Sequence, residues 1–552
     1  MATDQKSTLI SVFFSTLLVF ASLGYSATEP VLRDMLINSL KLGPATSLNL
    51  NTHGRSSKEI DNKLIEIYRI NGFLPFWIEN GQPSRRAKDI YAALMDSSTH
   101  GLNPANYLVN NIDHFWDNSD SASKAKLDII LTLGMIRYIA DQREGRFLAH
   151  QDDTKMFTTA RDVEVDWRAV CQAAFKTEDM DTFLAEQAPP FLQYRLLREK
   201  LAKYRSIEAT GGWPSIPAGP ALKPGADDSR ITSVRERLAV TGELKTNNLT
   251  SEVFDQSLVE AVKIFQKRHN LSIDGILGKQ TLAAMNVPVE KRIGQIIINM
   301  ERYRWLKRQN NKQLVAVNIA SFEAAAGRQD HFDISMPVIV GKTYHKTPVF
   351  NDNIEYVVFN PYWNVPPSIA RNEILPNQQK DPAYLQKSRM RIFQGWKPGA
   401  VELDPGAIDW TMVSKKEMDQ YHIRQEPGPD NALGTLKIIF PNEYNVYLHD
   451  TPAHNLFKQE TRALSHGCIR MGRPAEMAAW VLEGEEKGWS VERVNEIVAT
   501  RKRQVVTLDQ QLPVYILYRT AYIRPEDDAL YFYDDIYGRD NLLAQALEVA
   551  NH

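Results

Sequence analysis

The sequence predicts a multidomain α+β protein: a helical scaffold, a small three-helix unit, and a β-rich last domain interrupted by a long insertion. Three observations predict it. A chain of 552 residues is too long for one ordinary core. Apolar residues recur at helical spacing as far as about residue 205, where a Pro/Gly-dense stretch follows. Beyond about residue 306 short β-branched or alternating runs take over. With 43% hydrophobic and 24% charged residues, the composition is that of a globular chain and excludes a disordered or fibrous one. The 65 basic and 67 acidic residues nearly cancel, so charge gives no case for a nucleic-acid partner.

The elements follow in order. Lys6 precedes an apolar run from Leu9 to Leu23, then the small residues Gly24, Ser26 and Ala27. That order reads as an export signal over 1–27, cleaved after Ser26 or Ala27 or kept as a membrane anchor. Residues 30–228 are expected to be a helical scaffold with its linker. Ile60, Leu64 and Ile67 share a helix face, as do apolar positions of 127–140, and Gly211 to Pro220 cannot continue a helix. A three-helix unit is expected over 229–288. Leu258, Ala261, Val262 and Phe265 line one helix, Asp274-Gly275 makes a tight turn, and Gly278 to Leu282 opens another helix. A connecting helix is expected within 289–310, carried by Ile293, Ile296, Ile297 and Met300.

The β-rich domain is expected over 311–540, before a tail at 541–552. Its strands are read at Leu314 to Ala320, Ser335 to Val340, Ile354 to Phe359, Leu436 to Phe440, Val446 to His449, Val514 to Ile523 and Leu530 to Tyr533. A helix follows at 474–484. Residues 377–430 lack strand alternation and read as an inserted lid over a substrate site.

The chemistry gathers near residue 468. The chain has only Cys171 and Cys468, so no disulfide framework supports an exported protein of this size. Cys171 sits in the helix-like run WRAVCQAAF and reads as a small buried hydrophobe. Cys468 lies in Ser465-His466-Gly467-Cys468-Ile469-Arg470, a polar loop where a free thiol asks for a reason. Only the thiolate is nucleophilic, so a nearby imidazole must take its proton. Strand alternation puts Tyr447 and His449 on one face, and His449 is the candidate base. A backbone carbonyl is the better candidate to orient its ring, because Asp450 points to the opposite face. The N–H groups of Gly467 and Cys468 are candidate oxyanion donors, and Arg470 suits a carboxylate. Cys and three His, at 449, 454 and 466, also suit zinc, yet the paired ligand spacings are missing. No metal and no cofactor are expected.

Two resemblances sharpen the reading. Phe265-Gln266, Asp274-Gly275 and Gly278-x-x-Thr281-Leu282 resemble a three-helix peptidoglycan-binding domain. His449, followed after fifteen residues by Ser465-His466-Gly467-Cys468, resembles the signature of YkuD-type L,D-transpeptidases. Gly341-Lys342, Thr347-Pro348, Asn360 to Pro366, Pro427-Gly428, Asn431 to Gly434 and Asp534 to Gly538 resemble segments of the long Gram-negative YcbB type. The family often has Asn two places after the cysteine, where this chain has Arg470.

The resemblance implies a Cys468 nucleophile and a His449 base, with Ser465 and His466 shaping the site. It also implies 3→3 cross-linking of peptidoglycan through a thioester from a donor tetrapeptide stem to an acceptor stem, and acylation by carbapenems. Tyr447, Arg470 and Trp363 are candidate substrate contacts. Hydrolysis of the same thioester, as in an L,D-carboxypeptidase, and wall binding without catalysis are the alternatives. The expected location is the periplasm of a Gram-negative bacterium, attached to the inner membrane if the leader is kept. Other cell-wall synthesis enzymes are candidate partners.

Overall fold

The computed structural model describes residues 29–47, 56–146, 166–246, 248–306, 313–328, 331–485, 488–524 and 526–549. The expected leader over 1–27 lies outside the described residues. No described helix is long and apolar enough to cross a membrane. The chain divides into two compact units.

The first unit comprises Met1–Met95, Pro104–Arg137 and Trp167–Asp181. Its helices include Ser57–Ile70, Arg85–Met95 and Trp167–Lys176. A buried polar knot fixes their order. Asp128 accepts hydrogen bonds from the Tyr68 hydroxyl at 2.6 Å and from the Trp77 N–H at 2.8 Å. The indole N–H of Trp77 donates to Thr132 at 2.8 Å. Buried polar groups so satisfied specify one arrangement of apolar neighbours.

The second unit holds everything from Thr182 onward, with two short upstream segments. Helix Leu192–Ala209 packs within this second unit. Tyr194, Leu197, Leu201 and Tyr204 form its apolar stripe, which packs on Val289, Ile293, Ile296 and Met300 of helix Val289–Arg304. The hairpin Ala521–Arg524 with Ala529–Phe532 closes the same core.

The three-helix unit comprises Arg230–Thr241, Gln256–Arg268 and Lys279–Met285. Gln266 ties its motif together. Its side-chain amide donates to Asp274 at 2.7 Å and to Thr281 at 3.2 Å, while its carbonyl accepts the Gly275 N–H at 2.9 Å. Gly275 has φ +72°, where only glycine sits without strain. The preceding Pro/Gly stretch is not a loose linker, because Ile216 and Leu222 are buried in this unit's core.

Nine strands build the β domain: β1 Leu314–Asn318, β2 Glu323–Arg328, β3 His331–Gly341, β4 Phe350–Phe359, β5 Leu436–Ile439, β6 Leu448–His449, β7 Ala463–Ser465, β8 Ile469–Met471 and β9 Gln504–Leu517. Their spatial order is β7-β3-β8-β6-β5-β4-β9-β1-β2, and β2 pairs back onto β3, so the sheet closes on itself. One face is apolar: Val338, Val340, Val357, Phe359, Leu436, Ile438, Leu448, Ile469 and Met471 share a single core. The other face carries the chemistry.

Three sequence boundaries need correction. The expected strand over 514–523 is two, since β9 ends at Leu517 and a second strand starts at Ala521. The expected tail begins with a helix, Arg539–Leu547, whose Leu543, Ala544 and Leu547 pack on Ile298 and Trp305. The insertion starts before residue 377 and does contain strands. Trp363–Asn364, Met390–Gln394, Glu402–Leu403 and Tyr421–Gln425 form a separate four-stranded sheet. Val365, Ala370, Ile374, Leu385, Ile392 and Ile423 give it a core of its own.

Candidate active site

Strand register brings the site together. In the parallel pair β6–β8, Leu448 lies opposite Ile469 and His449 opposite Arg470. The Ile469 N–H donates to the Tyr447 carbonyl at 3.1 Å, which extends the register one step to Tyr447 beside Cys468. Residues paired across strands share a face, so Tyr447, His449, Cys468 and Arg470 all project from the side opposite the apolar core. In the antiparallel pair β5–β6, Lys437 lies opposite His449 and joins the same face. Its ammonium stands 5.3 Å from the centre of the Tyr447 ring.

His449 is buried, and its Nδ1 lies 2.6 Å from the backbone carbonyl of Asp450. That contact assigns the Nδ1–H tautomer and leaves Nε2 with the lone pair that a base needs. Burial first, then the neighbouring Arg470 and Lys437 charges, lower its pKa to about 3. The ring is therefore neutral at rest. The Asp450 carboxylate is engaged elsewhere, accepting from the Thr435 N–H and hydroxyl at 2.8 and 2.7 Å and from the Thr451 N–H at 2.7 Å.

Cys468 is half-buried, and burial pushes its thiol up, while hydrogen bonds from Tyr447 and the charges of Lys437 and Arg470 pull the other way. Burial also raises the Tyr447 hydroxyl, as does the sulfur beside it. Cys468 and His449 are both uncharged at rest, which differs from a standing thiolate–imidazolium pair.

The loop is braced from below. Ser465 Oγ donates to the Cys468 carbonyl at 2.6 Å and accepts the Gly467 N–H at 3.1 Å. This corrects one expectation, since the Gly467 N–H is committed to Ser465 and not available to an oxyanion. Gly467 has φ +117°, a conformation that only glycine holds easily. Its carbonyl accepts from Thr347 Oγ1 at 2.8 Å, and the same oxygen accepts the Gly341 N–H at 2.9 Å. Tyr537 donates to the Gly341 carbonyl at 2.5 Å, and Arg539 donates to the Thr347 carbonyl at 3.0 Å. The segments at 341–347 and 534–538, far apart in sequence, thus meet under the Gly467–Cys468 loop.

His466 turns away from the thiol. Its Nε2 lies 2.7 Å from Glu373 of the inserted unit, and its ring sits 5.1 Å from that of His345. Trp363 is not brought to this face; it pairs with Gln425 and packs on the insert's own core. Sequence reading missed Lys437 and Glu373, and had Thr347 only as part of a matching segment. Among the described residues, no group of three His, Cys, Asp or Glu is placed to hold a metal ion. A cavity of about 560 Å³ opens in the first unit, bounded partly by Leu74, Phe76, Phe175 and Cys171, but it holds no histidine to serve as a base.

Comparison with known proteins shows which families the chain resembles. Residues 312–498 match the "L,D-transpeptidase catalytic domain" model named YkuD. The β domain is thus similar to the YkuD L,D-transpeptidase family. Residues 227–285 match a "Putative peptidoglycan binding domain", and 62–201 match a "Scaffold domain". A protein of Haemophilus influenzae described as a "Putative L,D-transpeptidase" is 32% identical over 289 residues, which are 51% of this chain and 57% of that relative. This chain thus spans little more than half of that relative's length.

Among solved structures, an L,D-transpeptidase of Stackebrandtia nassauensis aligns with 56% of this chain and 99% of its own, at 13% identity and a TM-score of 0.22. One from Mycobacterium smegmatis aligns with 37% of this chain and 58% of its own, at 13% identity and a TM-score of 0.18. Superpositions this loose add nothing to the argument. The YkuD match runs from the β1 edge to the helix Val491–Ala499, and β9 and the hairpin beyond it complete the sheet and the adjoining core.

Proposed function

We propose that the protein is an L,D-transpeptidase of the long YcbB form that makes 3→3 peptidoglycan cross-links through a thioester on Cys468, with His449 as base and acid. One observation carries this reading: cross-strand register sets Cys468 diagonally beside an imidazole whose Nδ1 is tied to a backbone carbonyl. The three-helix unit supports peptidoglycan as the substrate surface, and periplasmic location follows from that substrate.

The steps follow from the resting protonation states. As Cys468 sulfur attacks the carbonyl of the third stem residue, its proton passes to His449 Nε2, and the carbonyl oxygen becomes an oxyanion. The Cys468 N–H is the loop donor proposed for that oxyanion. When the intermediate collapses, the bond to the terminal D-amino acid breaks and its amine leaves with the proton from His449. The side-chain amine of an acceptor stem then attacks the thioester, gives a proton to His449, and leaves as the new amide. His449 returns its proton to the departing sulfur. Water in place of the amine gives the hydrolytic outcome.

Intact-protein mass spectrometry after incubation with a carbapenem tests the nucleophile. Wild type should gain one adduct and Cys468→Ala none; an adduct on the Ala variant would overturn the assignment. Incubation with disaccharide-tetrapeptide should yield dimers, whereas tripeptide alone would make the enzyme a carboxypeptidase. A variant lacking 229–288 should lose sacculus retention while keeping thiol acylation.

A further inference from the structure

We propose that the outward face of the insert's four-stranded sheet is a saccharide-binding platform, separate from the Cys468 site, that takes an uncharged chain of sugars. Met390, Ile392 and Ile423 belong to the insert's own core. Strand alternation therefore sends Arg391, Phe393, His422 and Arg424 to the opposite side. There Phe393 and His422 are directly paired across the antiparallel strands, with ring centres 5.6 Å apart. Trp396, from the turn after Met390–Gln394, stacks on His422 with ring centres 4.4 Å apart and 26° between the planes. Trp396 nonetheless remains 46% exposed, so the stack fixes its ring without covering it. An exposed tryptophan already held in place offers a ligand a large contact area at little entropic cost.

The polar groups of the face select the ligand class. Arg391 and Arg424 stand opposite each other, and each has a carboxylate partner. Arg391 donates to Glu402 at 2.6 Å, and Arg424 donates to Glu426 at 2.8 Å. Burial first, then the Arg424 charge, lowers the pKa of His422, so its imidazole is neutral. The two arginines and two glutamates cancel, which gives a polyanion no electrostatic purchase here. His422 Nε2 lies 3.0 Å from Asn364 Oδ1, which sets an exposed amide at the edge of the aromatic stack. A pyranose ring matches this layout. Its C–H bonds form an apolar face for the indole, and its hydroxyls project from the rim toward amide, guanidinium and carboxylate groups. That the sugar chain is the glycan of peptidoglycan rests on the function proposed above; the platform itself does not.

Affinity electrophoresis through native gels containing glycol chitin tests the platform, because that soluble polymer is an uncharged chain of N-acetylated sugars without stem peptides. The wild-type protein should be retarded. Trp396→Ala should raise the dissociation constant by about five- to twentyfold. Trp396→Phe should keep most of the affinity, and Asn364→Ala should lose an intermediate amount. Carbapenem adduct formation at Cys468, read by intact-protein mass spectrometry, should be unchanged in every variant and serves as the control for an intact fold. No retardation of wild type, or retardation that Trp396→Ala leaves unchanged, would overturn the platform while leaving Cys468 as the nucleophile. Retardation with the expected variant pattern but no adduct on wild type would keep the platform and overturn the function proposed above.

Discussion

The chain's two cysteines make a natural experiment in how surroundings tune a thiol. Cys171 lies on the buried side of helix Trp167–Lys176, where burial alone pushes its pKa up to about 12. Cys468 feels burial too, yet Tyr447, Lys437 and Arg470 oppose it. Burial is common to both, and what differs is the supply of donors and cations on one sheet face. The lesson is that the groups able to lower a thiol pKa are assembled here by strand pairing, whereas the helix around Cys171 offers its sulfur only packing.

The contrast can be broken in several ways, the largest effect first. Cys468→Ala should abolish carbapenem acylation, while Cys171→Ala should keep the rate within about twofold; adduct kinetics by mass spectrometry measure both. A thiol-counting reagent should find one cysteine in the native protein and two in denaturant.

His449→Gln should slow acylation by about a hundred- to ten-thousandfold, the range for loss of a general base. Single-turnover kinetics would reveal a smaller loss if the resting thiol ionised without the imidazole. The alkylation rate of Cys468 should keep rising with pH beyond the point where a free thiol levels off, because its pKa is raised.

Removing the loop brace should cost less. Thr347→Val takes the donor from the Gly467 carbonyl and the acceptor from the Gly341 N–H, both buried. About 1–3 kcal/mol of stability should go with it, read by denaturant unfolding.

The last effect is a slope. His449 has a folded pKa of about 3 against an ordinary 6.5, so the unfolded state binds the proton first. Stability from the neutral ring is full above pH 6.5 and is lost as pH falls from there toward 3. His449→Gln should flatten the acid limb by up to about 1.4 kcal/mol per pH unit. His269, also buried and held neutral, should leave a residual slope.

Much of this site was legible in the sequence, and the exceptions have a common cause. Alternation in Tyr447-Leu448-His449 gave the right face, and the polarity of Ser465-His466-Gly467 marked the loop. Lys437 stayed hidden because the pattern Leu-Lys-Ile-Ile tells which residue points away from the core, not which strand lies opposite. Pairing between residues 437 and 449 is a tertiary fact. The insert was misplaced for a related reason: its first strand is only Trp363–Asn364, too short for any periodic signal, and its core draws on residues from 365 to 423. The Gly467 N–H was misassigned because glycine's freedom was visible, whereas the serine two places earlier that captures its N–H was not.

The bond between His466 and Glu373 carries a last consequence. The residue two places before Cys468 is fastened to a unit that folds around separate hydrophobic residues. Sequence drift inside that unit, remote from the thiol along the chain, can therefore shift the loop that carries Cys468 while every motif residue stays the same.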